Sequence, residues 1–171
     1  MNILLIGFKH SGKTTTGKRL STFLKKKFFD IDEIIEDLFF KKYKKNLKIF
    51  EIFRFLQKQK FQEIEYEATL SLKNIKNAVI ATSGSFILNE NNFEVFSKNS
   101  TRIVYLKTLK KVLKKRIKEN NQNTNFKDDD FFEKEYEKRK NLYSKKADFT
   151  IQTDHKNIDP ILKEIVRKIY V

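Results

Sequence analysis

Residues 1–20, MNILLIGFKHSGKTTTGKRL, carry the strongest structural signal in the chain. The apolar run at residues 2–6 predicts a short buried strand, and residues 13–25 predict a helix. Between the two, residues 7–14 match the pattern G-x-x-x-x-G-K-[ST] in full. Three of the chain's 4 glycines lie here: Gly7, Gly12 and Gly17. A strand, this loop and a helix in that order indicate a phosphate-binding loop.

The loop of residues 7–14 has the composition that holds a triphosphate. Its glycines let the backbone turn tightly, so that successive amides point at phosphate oxygens, and the following helix adds its N-terminal partial positive charge. Lys13 is expected to reach the β- and γ-phosphates, and Thr14 to bind Mg²⁺ through its hydroxyl. Gly17, one turn later, is expected to let the helix pack closely on the sheet. The predicted nucleotide-binding residues of this region are Gly7, Lys9, His10, Ser11, Gly12, Lys13, Thr14 and Thr15.

Strand and helix patterns alternate along the rest of the chain. Further strands are predicted at residues 28–32, 78–82, 102–106 and 149–151. Helices are predicted at residues 33–42, 48–73, 91–98, 108–118 and 131–144, and from Asp159 and Pro160, a good helix start, to the C-terminus. The alternation predicts an α/β fold: a P-loop three-layer sandwich with a parallel five-stranded sheet, helices on both faces and a short lid. The predicted lid is residues 119–130, a polar segment in which Lys127 is the only cation.

The composition bounds the class of protein. At 171 residues the chain is predicted to form a single domain, residues 1–171. Zero cysteines exclude disulfides and thiolate metal sites. Because no apolar run reaches the roughly 18 residues of a membrane span and the N-terminus lacks a signal peptide, we expect a cytoplasmic protein that does not enter a membrane.

The net charge of +15 has two interpretations. A basic chain can bind nucleic acid, and a P-loop protein associated with DNA or RNA stays open as an alternative, which salt-sensitive binding would support. However, the lysines are spread along the whole chain, and Lys, Asn, Ile and Phe are over-used together, as an AT-rich coding sequence would produce. We therefore predict a generally basic surface without a nucleic-acid partner, which still attracts an anionic substrate such as ATP.

Two acids follow the second predicted strand. Asp30 and Asp32 are separated by one residue, so at strand period two they are expected to point the same way. Beside a triphosphate, one carboxylate can hold a metal-bound water, and the other can orient or deprotonate an acceptor hydroxyl. The alternative is structural, with Asp32 as the N-cap of the next helix.

Several segments, in order, resemble the shikimate kinase family over nearly the whole chain. Residues 7–20, GFKHSGKTTTGKRL, resemble the start of that family, and residues 28–36, FFDIDEIIE, resemble its D-x-D-x-x-I-E segment. The family's E-I-F…G-E-x-x-F-R-x-x-E region is matched by residues 51–53 with Phe61 and Glu65. Residues 78–85, AVIATSGS, stand where the family has a glycine triplet. Two later segments also fit: residues 103–106 with Arg116, and residues 139–148, RKNLYSKKAD, which resemble R-x-x-L-Y-x-x-x-A-D.

The resemblance implies a reaction, in which MgATP phosphorylates the 3-hydroxyl of shikimate to give shikimate 3-phosphate and ADP. Carried over by position, Lys13 and Asp32 are the catalytic residues, with Asp32 also binding the shikimate hydroxyls as the base. Thr14 and Asp30 are the Mg²⁺ residues, and Arg116 joins the nucleotide-binding set. The implied substrate-binding residues are Asp32, Gln62, Ser83, Gly84, Ser85 and Arg139, of which Arg139 grips the carboxylate. The family also implies a monomer.

Three positions depart from the family pattern. The family's F-R arginine falls on Gln62, and a neutral amide lacks the planar charged fork that arginine offers a carboxylate. Losing one charge-assisted hydrogen bond costs roughly 1.5 to 3 kcal/mol, about ten- to a hundred-fold in affinity. The glycine triplet is Ser83-Gly84-Ser85, and the lid lacks the arginine of the family's R-P-L motif. The cations that could compensate for these changes in the acceptor site are Arg54, Lys58 or Lys60, which lie nearby in the sequence.

These departures leave alternatives to a shikimate kinase. A paralogue of the same fold would act on another small hydroxylated metabolite, and a non-catalytic module would bind ATP without an acceptor. A nucleoside-monophosphate kinase is disfavoured by the D-x-D and R-x-x-L-Y segments. The retained Asp30, Asp32 and Arg139 favour the kinase reaction on shikimate.

Overall fold

Strands and helices alternate along the chain, as the sequence predicts. The structure, a computed structural model, describes residues 1–97, 100–120, 126, 128–154 and 157–170. The strands of the described residues are β1 (Asn2–Ile6), β2 (Lys27–Asp30), β3 (Ala78–Ala81), β4 (Thr101–Lys107) and β5 (Phe149–Gln152). Their α-helices are α1 (Lys13–Phe23), α2 (Ile31–Tyr43), α3 (Ile49–Leu70), α4 (Glu90–Ser97), α5 (Lys110–Glu119), α6 (Asp129–Lys146) and α7 (Ile158–Tyr170). A 3₁₀ helix spans Phe86–Leu88.

The sheet has the order β2-β3-β1-β4-β5, and every pair in it is parallel. β1 is the central strand and all five of its residues are buried, which explains its continuous apolar run. The chain leaves β1 toward β2 and β3 on one side, and toward β4 and β5 on the other. A parallel sheet binds ligands at the carboxyl ends of its strands, where the strand order changes direction. The phosphate loop, which follows β1, lies at this point.

Helices cover both faces of the sheet, which confirms the predicted layers. Successive residues of β1 point to opposite faces. Leu4 and Ile6 belong to a larger core that includes residues of α2, α3, α5 and α6. Ile3 and Leu5 belong to a smaller core that α1 and α7 close. None of the described helices is long and apolar enough to cross a membrane.

Helix α3 is interrupted at Gln57, where φ is 62° and ψ is 174°. This backbone region is essentially restricted to glycine, and another residue held there costs on the order of 1–3 kcal/mol. In the family pattern G-E-x-x-F, the glycine comes four residues before the phenylalanine. Since that phenylalanine is Phe61 here, the glycine position is occupied by Gln57. The Gln57 side chain donates a hydrogen bond to the Arg54 carbonyl at 2.8 Å. This chain therefore makes a sharp backbone turn at Gln57 without a glycine.

The predicted lid is bracketed by helices at both ends. Helix α5 ends at Glu119, and Asp128 caps α6 by accepting a hydrogen bond from the Phe131 amide at 2.7 Å. Within the predicted lid, residues 121–125 and 127 lie outside the described residues, so the prediction about Lys127 is untested. The same holds for residue 98 at the end of the fourth predicted helix and for residue 171 at the C-terminus.

Candidate active site

A cavity of about 1040 Å³ lies at the carboxyl ends of the strands. Its walls come from the segments that follow β1, β2, β3 and β5, together with the starts of α2 and α3 and parts of α5, α6 and α7. Of the predicted site residues, it is lined by Lys9, His10, Ser11, Gly12, Lys13, Thr14, Thr15, Asp30, Asp32, Ser83, Gly84, Ser85, Arg116 and Arg139. Gly7 lies behind this surface at the start of the loop.

The phosphate loop has the tight backbone that its glycines predict. Gly7 and Gly12 have φ of 154° and 92°, and a Cβ atom on Gly7 would lie 2.8 Å from the Leu106 carbonyl oxygen. The Lys13 ammonium donates to the carbonyl oxygens of Gly7 at 2.9 Å and Phe8 at 3.0 Å, so it is held inside the loop. Burial lowers the pKa of this ammonium, while the nearby carboxylates oppose the shift.

Contacts to neighbouring elements hold the phosphate loop and the helix that follows it. The Arg116 guanidinium donates to the His10 carbonyl oxygen at 3.0 Å, so Arg116 lies beside the phosphate loop. Burial and the cations around it lower the pKa of His10 to about 4, so its imidazole is neutral at neutral pH. On α1, a Cβ atom on Gly17 would lie 2.5 Å from the Phe28 ring, which confirms close packing against the sheet.

Thr14 and Asp30 form a hydrogen-bonded pair of oxygen groups at the base of the loop. The Thr14 hydroxyl donates to Asp30 Oδ2 at 2.7 Å, and Asp30 is buried. The second oxygen of Asp30 accepts a hydrogen bond from the Asp32 amide at 3.0 Å, so Asp30 is the N-cap of α2. A hydroxyl and a carboxylate beside a phosphate site are the hard oxygen ligands that Mg²⁺ takes together with phosphates and water.

Asp32 reaches the cavity from α2, not from β2. The prediction that the two acids share one strand face is wrong, because β2 ends at Asp30 and Asp32 lies in the first helical turn. The alternative N-cap role also belongs to Asp30. Within the described residues, Asp32 Oδ1 is buried without a hydrogen-bond partner. Burial and the Asp30 charge raise the pKa of Asp32 to about 7, against the opposing effect of Lys13.

Arg139 is locked in place on α6. It is 7% exposed, and it donates to the Gly84 carbonyl at 2.9 Å while its other amino group pairs with Glu135. Its guanidinium lies 5.5 Å from the ring centres of both Phe8 and Phe126. Among the described residues its Nε has no hydrogen-bond partner. The guanidinium is therefore held rigidly beside the cavity, with one buried donor unused among the described residues.

The serines of the altered glycine triplet line the cavity, and their hydroxyls are bonded to a buried acid. The hydroxyls of Ser83 and Ser85 both donate to Oε1 of Glu65, the latter at 2.6 Å. Glu65 is fully buried, and Asn92 donates to its other oxygen at 3.3 Å. Burial raises the pKa of this carboxyl, and the three hydrogen bonds oppose that shift. The serine hydroxyls hold a buried acid and leave the backbone around Gly84 to face the cavity.

Gln62 does not line the cavity, contrary to its predicted place in the substrate site. It is half-buried on α3, and the adjacent Phe61 takes the position that faces inward. Consecutive helical residues point about 100° apart, so the two side chains cannot share one direction. The three suggested compensating cations are exposed and outside the lining as well: Arg54, Lys58 and Lys60.

Sequence reasoning missed some lining residues. On the α3 side the cavity is closed by Phe50, Phe53 and Phe61 and by Lys48, which pairs with Glu36 at 2.9 Å. Near α7 it is closed by Thr153, Ile158 and Ile161. The even spread of apolar residues through these helices gave no local signal for these positions.

Comparison with known proteins shows one family over nearly the whole chain. The shikimate kinase family model matches residues 9–170. The chain is 33% identical over 169 residues to a shikimate kinase of Sulfurihydrogenibium, covering 98% of this chain and 97% of that one. It is 36% identical over 171 residues to a shikimate kinase of Clostridium botulinum, covering 97% and 94%.

Solved structures extend the likeness to the fold. Shikimate kinase of Bacteroides thetaiotaomicron superimposes with a TM-score of 0.84 at 24% identity, over 100% of this chain and 99% of that one. Shikimate kinase of Acinetobacter baumannii in complex with shikimate gives a TM-score of 0.78 at 27% identity, over 98% and 92%. Because the family model and these relatives span nearly the full length, the chain belongs to the shikimate kinase family.

Proposed function

We propose that the chain transfers the γ-phosphoryl group of ATP to the 3-hydroxyl of shikimate, giving shikimate 3-phosphate and ADP. The observation that carries this is the juxtaposition, in one cavity, of three groups: a phosphate loop, the Asp32 carboxylate and a fixed guanidinium at Arg139. Within the described residues, Oδ1 of Asp32 has no hydrogen-bond partner. The Acinetobacter relative was solved with shikimate, whose carboxylate and hydroxyls suit such a pair of groups.

The nucleotide half binds the triphosphate of ATP. The loop amides of residues 7–14 surround the phosphates, and Lys13 exchanges its carbonyl partners for phosphate oxygens. Thr14 would hold Mg²⁺ through its hydroxyl and Asp30 through water. When bound, the metal neutralises charge on the β- and γ-phosphates. Arg116 and the apolar residues of α7 lie on the side where the nucleoside would rest.

The acceptor half orients shikimate for in-line attack. Asp32 binds the hydroxyls of shikimate and takes the proton of the 3-hydroxyl. At the same time the 3-oxygen of shikimate forms a bond to the γ-phosphorus, and the bond between that phosphorus and ADP breaks. A carboxyl with a raised pKa holds that proton better than an ordinary aspartate. Arg139 binds the carboxylate, and the backbone around Gly84 shapes the floor. We assign no contact to Gln62.

Product identity tests this proposal. The chain is incubated with MgATP and shikimate, and NMR determines which oxygen of the product carries the phosphoryl group. The Lys13→Ala variant is the inactive control. Shikimate 3-phosphate is expected. Phosphorylation of a different hydroxylated metabolite, with shikimate left unchanged, would favour the paralogue. A monomer, a cytoplasmic location, a single domain and the absence of a nucleic-acid partner stay predictions.

A further inference from the structure

Among the cations that line the cavity, Lys9 differs from the rest. The described members of this set are Lys9, Lys13, Lys48, Arg116 and Arg139. All but Lys9 already donate to oxygen atoms of this chain. Within the described residues, the Lys9 ammonium makes no hydrogen bond and no ion pair, and it meets only an aromatic ring. It is thus a cation in the cavity with its hydrogen-bonding capacity unused.

The Lys9 ammonium lies on the α3 side of the cavity, and the Lys9 backbone lies against Gly84. Its ammonium lies 5.7 Å from the ring centre of Phe50 at the start of α3. Its backbone packs on Gly84, since a Cβ atom built there would lie 3.4 Å from the Lys9 nitrogen. Arg139 donates to the carbonyl of the same glycine at 2.9 Å. Two cationic residues therefore flank Gly84, one from the phosphate loop and one from α6.

We propose that Lys9, together with Arg139, binds the carboxylate of the acceptor at Gly84. This rests on the proposed function and assigns the Lys9 side chain to the acceptor, while its backbone stays part of the nucleotide loop. The position that the family pattern gives to a second arginine is the neutral Gln62, which lies outside the lining. Lys9 restores the missing charge from a different element.

The electrostatics of Lys9 agree with this assignment. Burial lowers the pKa of its ammonium, because removal from water disfavours the charged form. The nearby Asp32 carboxylate opposes the shift without reaching hydrogen-bonding distance. A carboxylate bound at Gly84 would give the partly desolvated ammonium the partner that it lacks.

The first test compares Lys9→Met with Arg54→Met. Arg54 lies 5.9 Å from the same Phe50 ring but is exposed and outside the lining, so it controls for loss of the cation–aromatic contact. We expect Lys9→Met to raise the KM of shikimate about ten- to a hundred-fold, the worth of a charge-assisted hydrogen bond, and to leave the KM of ATP nearly unchanged. Arg54→Met should change neither constant. An effect of Arg54→Met in place of Lys9→Met would overturn the proposal.

A second acceptor identifies the group that Lys9 contacts. With the neutral carboxamide of shikimate, Lys9→Met and the unaltered chain should have similar kcat/KM, because the carboxylate is absent. Equal losses on both acceptors would place Lys9 on the transferring phosphate and contradict the proposal. Calorimetric titration with shikimate separates the role of Lys9 from the proposed kinase reaction. If shikimate binds in a way that depends on Lys9 but is not phosphorylated, the role of Lys9 is supported and the proposed reaction is not. A chain that neither binds nor phosphorylates shikimate refutes both.

Discussion

The phosphate loop and the acceptor half of the cavity differ in the range of their internal contacts, although Arg116 also reaches the loop at His10 across 106 residues. In the nucleotide half, Lys13 bonds to main-chain oxygens 5 and 6 residues away in sequence. In the acceptor half, Ser85 bonds to Glu65 across 20 residues, and Arg139 bonds to Gly84 across 55. Local backbone geometry can be encoded in a short motif, whereas a network of distant side chains can be rebuilt by substituting its members together. The departures from the family pattern therefore collect in the acceptor half.

The largest expected effect is in the nucleotide half. Lys13→Ala removes the cation that meets the transferring phosphate, and an arginine finger, which is also a cation on that group, is worth about 10³–10⁵ in kcat. Steady-state ADP release with shikimate should fall by about that factor. Lys18→Ala, on the same helix but exposed and paired with Glu33 at 3.1 Å, is the control and should keep near-normal turnover. Preserved turnover in Lys13→Ala would contradict the assignment of the phosphate loop.

The next effect separates the two acids. Asp32→Asn removes the base, so kcat should fall about 10²–10⁴-fold while ATP affinity changes little. Asp30→Asn, which alters the partner of Thr14, should instead weaken binding of MgATP. Single-turnover rates and nucleotide titrations measure the two. If Asp32→Asn weakened ATP binding and left turnover per bound ATP unchanged, Asp32 would belong to the metal site.

The pH dependence sharpens the role of Asp32. The base must be deprotonated to accept a proton, and its pKa is raised to about 7. Below that pH, kcat/KM for shikimate should therefore fall about tenfold per pH unit, and above it kcat/KM should become independent of pH. In the Asp32→Asn variant, the decrease of kcat/KM below pH 7 should be absent. A profile of the unaltered chain that is flat from pH 5 to pH 8 would argue against Asp32 as the base.

A smaller effect tests the serine network of the acceptor half. Ser85→Ala deletes one donor to the buried Glu65 carboxyl, which should lower the free energy of unfolding by about 1.5–3 kcal/mol. Ser144→Ala, an exposed serine that bonds within α6, should cost less than about 0.5 kcal/mol. Urea unfolding measures both. Equal stability of the two variants would show that the Glu65 contacts contribute little.

The smallest effect concerns the turn in α3. Gln57→Gly relieves a backbone conformation that disfavours side chains, so it should stabilise the protein by about 1 kcal/mol. Gln59→Gly, two residues later in regular helix, should destabilise it by about the same amount. Thermal unfolding resolves these opposite signs. Destabilisation by both substitutions would contradict the conformation at Gln57.

Sequence alone predicts the parts that depend on short-range patterns. The five parallel strands, the phosphate loop and the two acids after β2 follow from apolar runs and motif spacing, whereas the place of Arg139 at the same cavity is implied by the family resemblance. The end of β2 was misplaced, because Asp30 satisfies the Asp32 amide and starts a helix there. This capping choice depends on a single hydrogen bond.

Contacts made across the fold were not predictable in this way. Nothing in the segment 83–85 shows that its hydroxyls turn toward Glu65, 18 and 20 residues earlier. The outward position of Gln62 depends on the helical phase after Gln57, where the chain lacks the family's glycine. The direction of Lys9 depends on Phe50 and Gly84, which come from two other segments.

The most direct test of the central claim is the rate of ADP release at saturating MgATP over a wide range of shikimate concentrations. An intact nucleotide half and a rebuilt but functional acceptor half predict strong, saturable stimulation by shikimate. The absence of stimulation, in a chain that still binds ATP through Lys13, would contradict the claim that the acceptor half serves shikimate.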